Sequence, residues 1–257
     1  MMKEIIEKKV FKFLFSIINL LKNVFFTIWS FIWDLIDTFY HYFLTKVYKK
    51  FGKSFKFKFN NKTYKYFYHD YNFTWRSERA IEIPIILQEI IKNKNKRILE
   101  VGNVLGHYFD FKHHIVDKFE QGENIINEDI INYKNSEKYD LIVSISTMEH
   151  IGWDHIKGWE GVSKDPNKIL KAIENLKSLL KKDGKIIITF PIGWNPFLEL
   201  LFIEGKLKFS KTYYFKRQTF DNKWEQVSWE QISNCSYNRP FPLANGIIVG
   251  IIEKYDL

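Results

Sequence analysis

The chain has 257 residues, of which 46% are hydrophobic, enough to bury a full core and to exclude a disordered protein. Its one cysteine, Cys235, excludes an intramolecular disulfide, and no histidine cluster accompanies it to make a zinc site, so no metal is expected. Of the net charge of +9, the first sixty residues carry +7, from eleven lysines against Glu4, Glu7, Asp34 and Asp37, so no nucleic-acid footprint is expected across the remainder.

From Val10 to Leu44 the chain is apolar and aromatic, with no Pro or Gly. Ser16, Asn19, Asn23, Thr27, Ser30, Asp34, Asp37 and His41 recur every three or four positions, one narrow polar stripe on a long helix. A signal peptide is excluded by length and by the lack of a small-residue cleavage site. A spanning helix is opposed by Lys22, Asp34 and Asp37. Two readings stand: a helix lying in a membrane surface, with Trp29, Trp33, Tyr40 and Tyr42 at headgroup level, or a helix buried against another subunit of an oligomer.

After Gly52 the period becomes two. Phe55, Phe57 and Phe59 alternate with Lys56 and Lys58, Asn60-Asn61-Lys62 makes a turn, and Tyr64, Tyr66 and Tyr68 follow, which predicts a β-hairpin. Its aromatic and basic residues suit base stacking, or simply a hairpin with lysines on its wet face. The organisation is therefore residues 1–50 as an apolar, basic helical segment, 51–78 as hairpin and connector, and 79–257 as the main domain.

Apolar spacing from Arg79 to Asn93 predicts a helix with Pro84 in or near its first turn. Ile98-Leu99-Glu100-Val101-Gly102 reads as a strand ending in a carboxylate and glycine, and Asn103-Val104-Leu105-Gly106 extends this to E-x-G-x-x-x-G. Neither the dinucleotide fingerprint nor the phosphate loop is present. A wide glycine turn behind an acid suits a cationic ligand without pyrophosphate, although any tight strand-to-helix turn shares the pattern. Ile115-Val116-Asp117 is a second strand whose acid sits where ribose hydroxyls are accepted, with Glu120 as the alternative. Asn127-Glu128-Asp129-Ile130 offers a carboxylate and an apolar side chain to an adenine. Tyr139 to Ser146 is a buried parallel strand ending in Thr147-Met148-Glu149-His150. A helix from Asp165 to Lys182, stopped by Asp183-Gly184, leads to a strand from Lys185 to Pro191. The tail holds a short helix (Phe197, Leu200, Leu201) and a last strand, Ile247 to Ile252, expected at the sheet edge. This alternation makes the fold class α/β with a mainly parallel sheet.

Residues 97–191 resemble the class I S-adenosylmethionine-dependent methyltransferases, through Ile98-Leu99-Glu100-Val101-Gly102, Tyr139-Asp140-Leu141-Ile142-Val143-Ser144, Met148-Glu149-His150 and the Leu179-to-Lys185 turn. The resemblance implies a Rossmann-like sheet with helices on both faces and S-adenosyl-L-methionine as methyl donor. It implies that Glu100, Gly102, Asn103 and Gly106 shape the methionine and ribose pocket, Asp117 binds the ribose, Asp129 and Ile130 hold adenine, and Ser144 and Ser146 line the methyl end. Tyr71 to Arg76 and Trp153-Asp154 are similar to methyltransferases associated with surface glycans. The expected acceptor is a hydroxyl of a glycan or lipid-linked molecule, with His150 and then Asp154 as general base. Trp75, Arg79, Glu149, Trp153 and Trp194 are candidate acceptor contacts, and Arg217, Trp224 and Arg239 fall where acceptor specificity is expected. A quinone-type lipid acceptor and a degenerate, non-catalytic scaffold are the competing readings. The implied location is cytoplasmic, peripheral to a membrane.

Overall fold

The computed structural model describes residues 55–153 and 164–253, together with helical positions between residues 24 and 51. Two compact units result, residues 1–47 and residues 48–257. In the first, Val10 to Asn23 lie outside the described residues, and the described positions from Val24 onward are helical and largely exposed.

The second unit is built on an eight-stranded sheet. Its strands are β3 (Ile98–Val101), β4 (His114–Asp117), β5 (Ile125–Asn127), β6 (Tyr139–Ile145), β7 (Leu180–Pro191), β8 (Lys211–Arg217), β9 (Trp224–Val227) and β10 (Gly246–Glu253). Their order in space is β5-β4-β3-β6-β7-β10-β8-β9. The first five are parallel, as the unbroken apolar runs of β3 and β6 require of strands covered on both faces. Strand order reverses at β3, which pairs with β4 on one side and β6 on the other. The crevice beyond the carboxyl ends of β3, β4 and β6 is thus the place for a ligand.

Alternation along the strands sends residues to two cores. Leu99, Val101, Ile142, Ile186 and Ile188 meet helix α2 (Asn167–Leu179) and helix α3 (Pro196–Ile203). Ile98, Leu141, Val143, Ile145 and Ile187 meet helix α1 (Arg79–Lys92) and a β1–β2 hairpin (Lys56–Phe59 and Lys62–Lys65). Helices therefore cover both faces. Asn60 and Asn61 form a two-residue turn with φ of 48° and 60°, so Lys62 belongs to the strand rather than the turn. Phe57 and Phe59 are buried, their ring centroids 6.1 and 5.7 Å from Phe215. Each such burial contributes about 1.5–3 kcal/mol, as much as stacking one base, so these rings serve the core and are closed to nucleic acid.

Four expectations need correction. Pro84 is the sixth residue of α1, well inside it. It lacks the N–H that would bond to the carbonyl of Ala80, and that carbonyl accepts the amide of Phe67 instead, at 2.9 Å. Helix α2 ends at Leu179, because Leu180 pairs with Tyr139 in the sheet; Asp183-Gly184 fall in an irregularity of β7. The last strand is internal: β10 lies antiparallel between β7 and β8, where its two-sided apolar run (Ile247, Ile248, Val249) is buried. In α3 it is Leu198 and Leu201 that face the core, and Leu200 is exposed.

Arg217 and Trp224 also prove structural. Arg217 is buried and donates to the carbonyls of Thr219, Arg76, Pro242 and Phe220, a use of the guanidinium fork that lysine cannot copy. Trp224 is buried, its Nε1–H donating to Asn222.

Candidate functional site

At the end of β3 the backbone turns through Gly102, whose φ is +83°. Its amide donates to the carbonyl of Val116 on β4, and a Cβ there would stand 2.2 Å from Thr147 Oγ1. Conformation and space thus both demand glycine. Glu100, fully buried, shapes this turn from behind: its Oε1 accepts the amides of Val104 and Leu105 at 2.9 and 2.6 Å, and its Oε2 meets His113 Nε2 at 2.7 Å. Its charge is consumed by the loop and does not line the cleft. At Gly106 a Cβ would stand 2.2 Å from Asn103 Oδ1, so this glycine keeps Asn103 in place.

Asp117 closes β4. Its Oδ2 accepts the amide of Asn103, and its Oδ1 accepts those of Phe119 and Glu120. Three of roughly four lone-pair sites are used, which leaves about one for a ligand hydroxyl. Glu120 stands beside it, accepting from Asn103 Nδ2 at 2.6 Å and contacting His107 Nε2 at 3.1 Å. After β5, Asp129 accepts the amide of Ile131 and pairs with Lys118 Nζ at 3.1 Å. Asn175 of α2 ties this segment down by donating to the carbonyls of Ile130 and Tyr133.

These residues enclose two adjoining clefts. One is lined by Gly102, Val116, Asp117, Lys118, Phe119, Asp129, Ile130, Ile131, Thr147, His150 and Lys168 among others. The other is lined by Tyr71, Asn72, Arg79, Asn103, Val104, His107, Tyr108 and Glu120 among others. Gly102, Asp117, Phe119, Thr147 and His150 border both and form the waist between them.

Against the second cleft, buried acids gather around Arg79. Its Nη1 donates to Glu82 Oε2 at 2.8 Å, and Glu82 Oε1 accepts the hydroxyl of Ser146 at 2.6 Å. Ser146 is held there by a left-handed backbone, φ +38°, and by its amide bonds to Thr189. Burial alone lowers the Arg79 pKa, but Glu82, Glu78 and Glu149 more than offset this, so it is raised. Burial pushes the Glu149 carboxyl well above the usual carboxylate range, and the negative charges of Glu82 and Glu78 push the same way. Glu78 is raised for the same reasons, burial first and then Glu82.

A pH dependence follows. An acid whose folded pKa exceeds its unfolded value near 4.5 gives its full stabilisation below that pH and loses it as pH rises through the folded value. Thermal melts of the ligand-free protein and of Glu149→Gln are therefore expected to converge in acid. The variant should become progressively the more stable of the two as pH rises from about 4.5 through neutrality.

Placed residue by residue, Gly102, Asn103, Asp117, Asp129, Ile130, Arg79 and His150 converge on the clefts. Glu100, Gly106, Glu149 and Ser146 stand one layer behind them. Ser144 is buried in β6, lining neither cleft. Trp75 is buried, stacked on Tyr48 with centroids 5.2 Å apart. Trp153 is buried edge-on against Phe197. Both belong to the packing rather than to a cleft wall. Trp194 reaches the site through His150, edge to face at 5.5 Å. Asp154 lies outside the described residues. Thr147, Tyr108, His107, Lys118 and Phe119 were not singled out from the sequence as contacts, though Thr147 stood in the quoted strand ending and Lys118-Phe119 follow the signalled Asp117.

No known family profile matches the sequence, and no curated protein matches it. Among solved structures, the chain is similar to the N-methyltransferase NodS from Bradyrhizobium japonicum in complex with S-adenosyl-L-homocysteine. Identity is 11%, with 65% of this chain and 84% of that one covered, at a TM-score of 0.39. It is similar to a possible histamine N-methyltransferase from Thermotoga maritima at 13% identity, covering 66% of this chain and 89% of that one, with a TM-score of 0.38. It is similar to the sugar N-methyltransferase KedS8 from Streptoalloteichus at 10% identity, covering 68% and 87%, with a TM-score of 0.34.

Proposed function

We propose that this chain transfers a methyl group from S-adenosyl-L-methionine to a small-molecule acceptor of glycan type. The observation that carries the reading is the turn at Gly102, closed to any Cβ, set between a cleft edged by Asp117, Asp129 and Ile130 and a cleft edged by Arg79. The first cleft fits a nucleoside: a carboxylate for ribose at the end of β4, a carboxylate and apolar wall for adenine after β5. The second fits the amino-acid end of the donor, with the Arg79 guanidinium as a partner for its carboxylate. Residues of this chain would bind, align and shield; the bound donor supplies an already activated methyl group. Alignment alone can account for several kcal/mol of rate enhancement. His150, at the waist, is placed to receive a proton from an acceptor.

A non-catalytic scaffold has no use for a glycine turn that excludes side chains beside two open clefts. Titration calorimetry tests the reading directly. S-adenosylhomocysteine is expected to bind in the micromolar range and NADH not at all; silence toward S-adenosylhomocysteine would remove the proposal.

For the first unit we propose contact with an anionic membrane surface. No helix of the described residues is long and apolar enough to cross a membrane. Yet Phe25, Trp29, Phe31, Phe39, Tyr40 and Phe43 are all exposed, and lysines precede and follow them in the sequence, the combination that suits a membrane surface. The full chain should co-sediment with phosphatidylserine vesicles, and a Phe31→Ser/Phe39→Ser double variant should lose most of that binding. Equal sedimentation of both proteins would refute the contact.

A further inference from the structure

Glu82 is fully buried on α1, among the apolar residues Ala80, Ile81, Ile83, Ile85 and Ile86. For stability alone an apolar side chain would serve as well there, because desolvating an ion pair costs about as much as the pairing returns. What the carboxylate does is visible in its two partners. Its Oε2 accepts one N–H of Arg79 at 2.8 Å, and its Oε1 accepts the hydroxyl of Ser146 at 2.6 Å. Arg79 makes no other hydrogen bond among the described residues, so the rest of its guanidinium fork is left for the second cleft, which it lines. Ser146 reaches Glu82 from the opposite side. It follows β6, and its φ of +38° is strained for any residue with a Cβ. Its amide is fixed to β7 by the carbonyl and the hydroxyl of Thr189, at 3.0 and 3.2 Å. Glycine would take this backbone without strain; what serine adds is the hydroxyl. Thr147, the next residue, stands at the waist.

We propose that Ser146 and Glu82 are positioning residues, which hold the Arg79 guanidinium toward the carboxylate at the amino-acid end of the methyl donor. This rests on the methyl-transfer reading above. The bonds from Thr189 through Ser146 and Glu82 to Arg79 tie the helix wall of the second cleft to the ends of β6 and β7. The guanidinium is therefore aimed before the ligand arrives, and less freedom is lost on binding. The Ser146 hydroxyl has a second effect. By donating to Glu82 it takes up part of that carboxylate's charge, which leaves Arg79 freer to attract another. Ser146 itself lines neither cleft, so it acts on the ligand only through this chain.

The test titrates the full chain with S-adenosylhomocysteine and with its decarboxylated analogue, which keeps the nucleoside, the sulfur and the amine. The parent is expected to bind the carboxylate-bearing ligand about tenfold tighter or more. Arg79→Gln should remove most of that preference. Ser146→Gly, which takes the left-handed backbone freely, should cut it about threefold or more while leaving affinity for the decarboxylated analogue near the parent's. Ser146→Ala should do the same, with the backbone strain retained. In the Arg79→Gln background the Ser146 change should have no further effect, because its route to the ligand is gone. Equal binding of the two ligands by the parent, an unchanged preference in both Ser146 variants, or a Ser146 effect that persists without Arg79 would overturn the proposal. Each of these outcomes is distinct from failure of S-adenosylhomocysteine itself to bind the parent, which would overturn the methyl-transfer reading instead.

Discussion

Gly102→Arg is expected to abolish binding of S-adenosylhomocysteine, a loss of at least ~100-fold, or about 2.7 kcal/mol, in titration calorimetry. Two causes act together. The backbone holds φ at +83°, which costs a residue with a Cβ about 1–3 kcal/mol. The first carbon of the new side chain would also overlap Thr147, whose Oγ1 lies 2.2 Å from its position. Thr147 borders both clefts, so displacing it deforms the waist through which donor and acceptor meet. Gly102→Ala should show the same defect in milder form. Unchanged affinity in the arginine variant would dissociate this turn from the ligand site.

Glu100→Ala is the second large effect, and it should appear first in stability. The carboxylate accepts two amides and faces the His113 imidazole, all in a fully buried position. Removing a buried charged acceptor while leaving its donors in place costs about 3–5 kcal/mol. For a folded unit of this size that corresponds to a fall in melting temperature of about 6–20 °C. His113→Gln is the informative comparison, because it removes one contact and leaves both amide bonds. It should cost clearly less, and its donor affinity should stay near that of the parent. Equal losses in the two variants would show that the imidazole, rather than the loop amides, is what Glu100 holds.

These two positions also show where a sequence is transparent. Glu100, Gly102 and Asp117 lie within eighteen residues, and their meeting at one turn follows from a strand, a tight turn and a second strand, features set by local pattern. Asp129 was legible for the same reason, being one of the two acids, with Glu128, that follow the next apolar run. The cluster around Arg79 is a different matter. Glu82 is bonded to Ser146 across 64 positions of chain, and Glu149 joins it only because β6 ends beneath the start of α1. Spacing along the chain holds no record of that meeting. A pair such as Arg79 and Glu82 reads in sequence as an exposed helix couple, yet Glu82 is fully buried. Trp75 and Trp153 misled in the opposite sense, since an aromatic ring near a site motif serves a core as readily as a ligand. Strand β10 was recognisable as a strand, but its insertion between β7 and β8 depends on which edge remained open, a property of the assembled sheet.

The carbonyl that Pro84 leaves without its helical partner has a mechanical consequence. By accepting the amide of Phe67, Ala80 fastens the start of α1 to the stretch that leads into Tyr71 and Asn72. Arg79 on the helix and Tyr71 on that stretch are walls of one cleft. The two walls are thereby joined by a backbone hydrogen bond, one whose acceptor is free because Pro84 supplies no N–H to it.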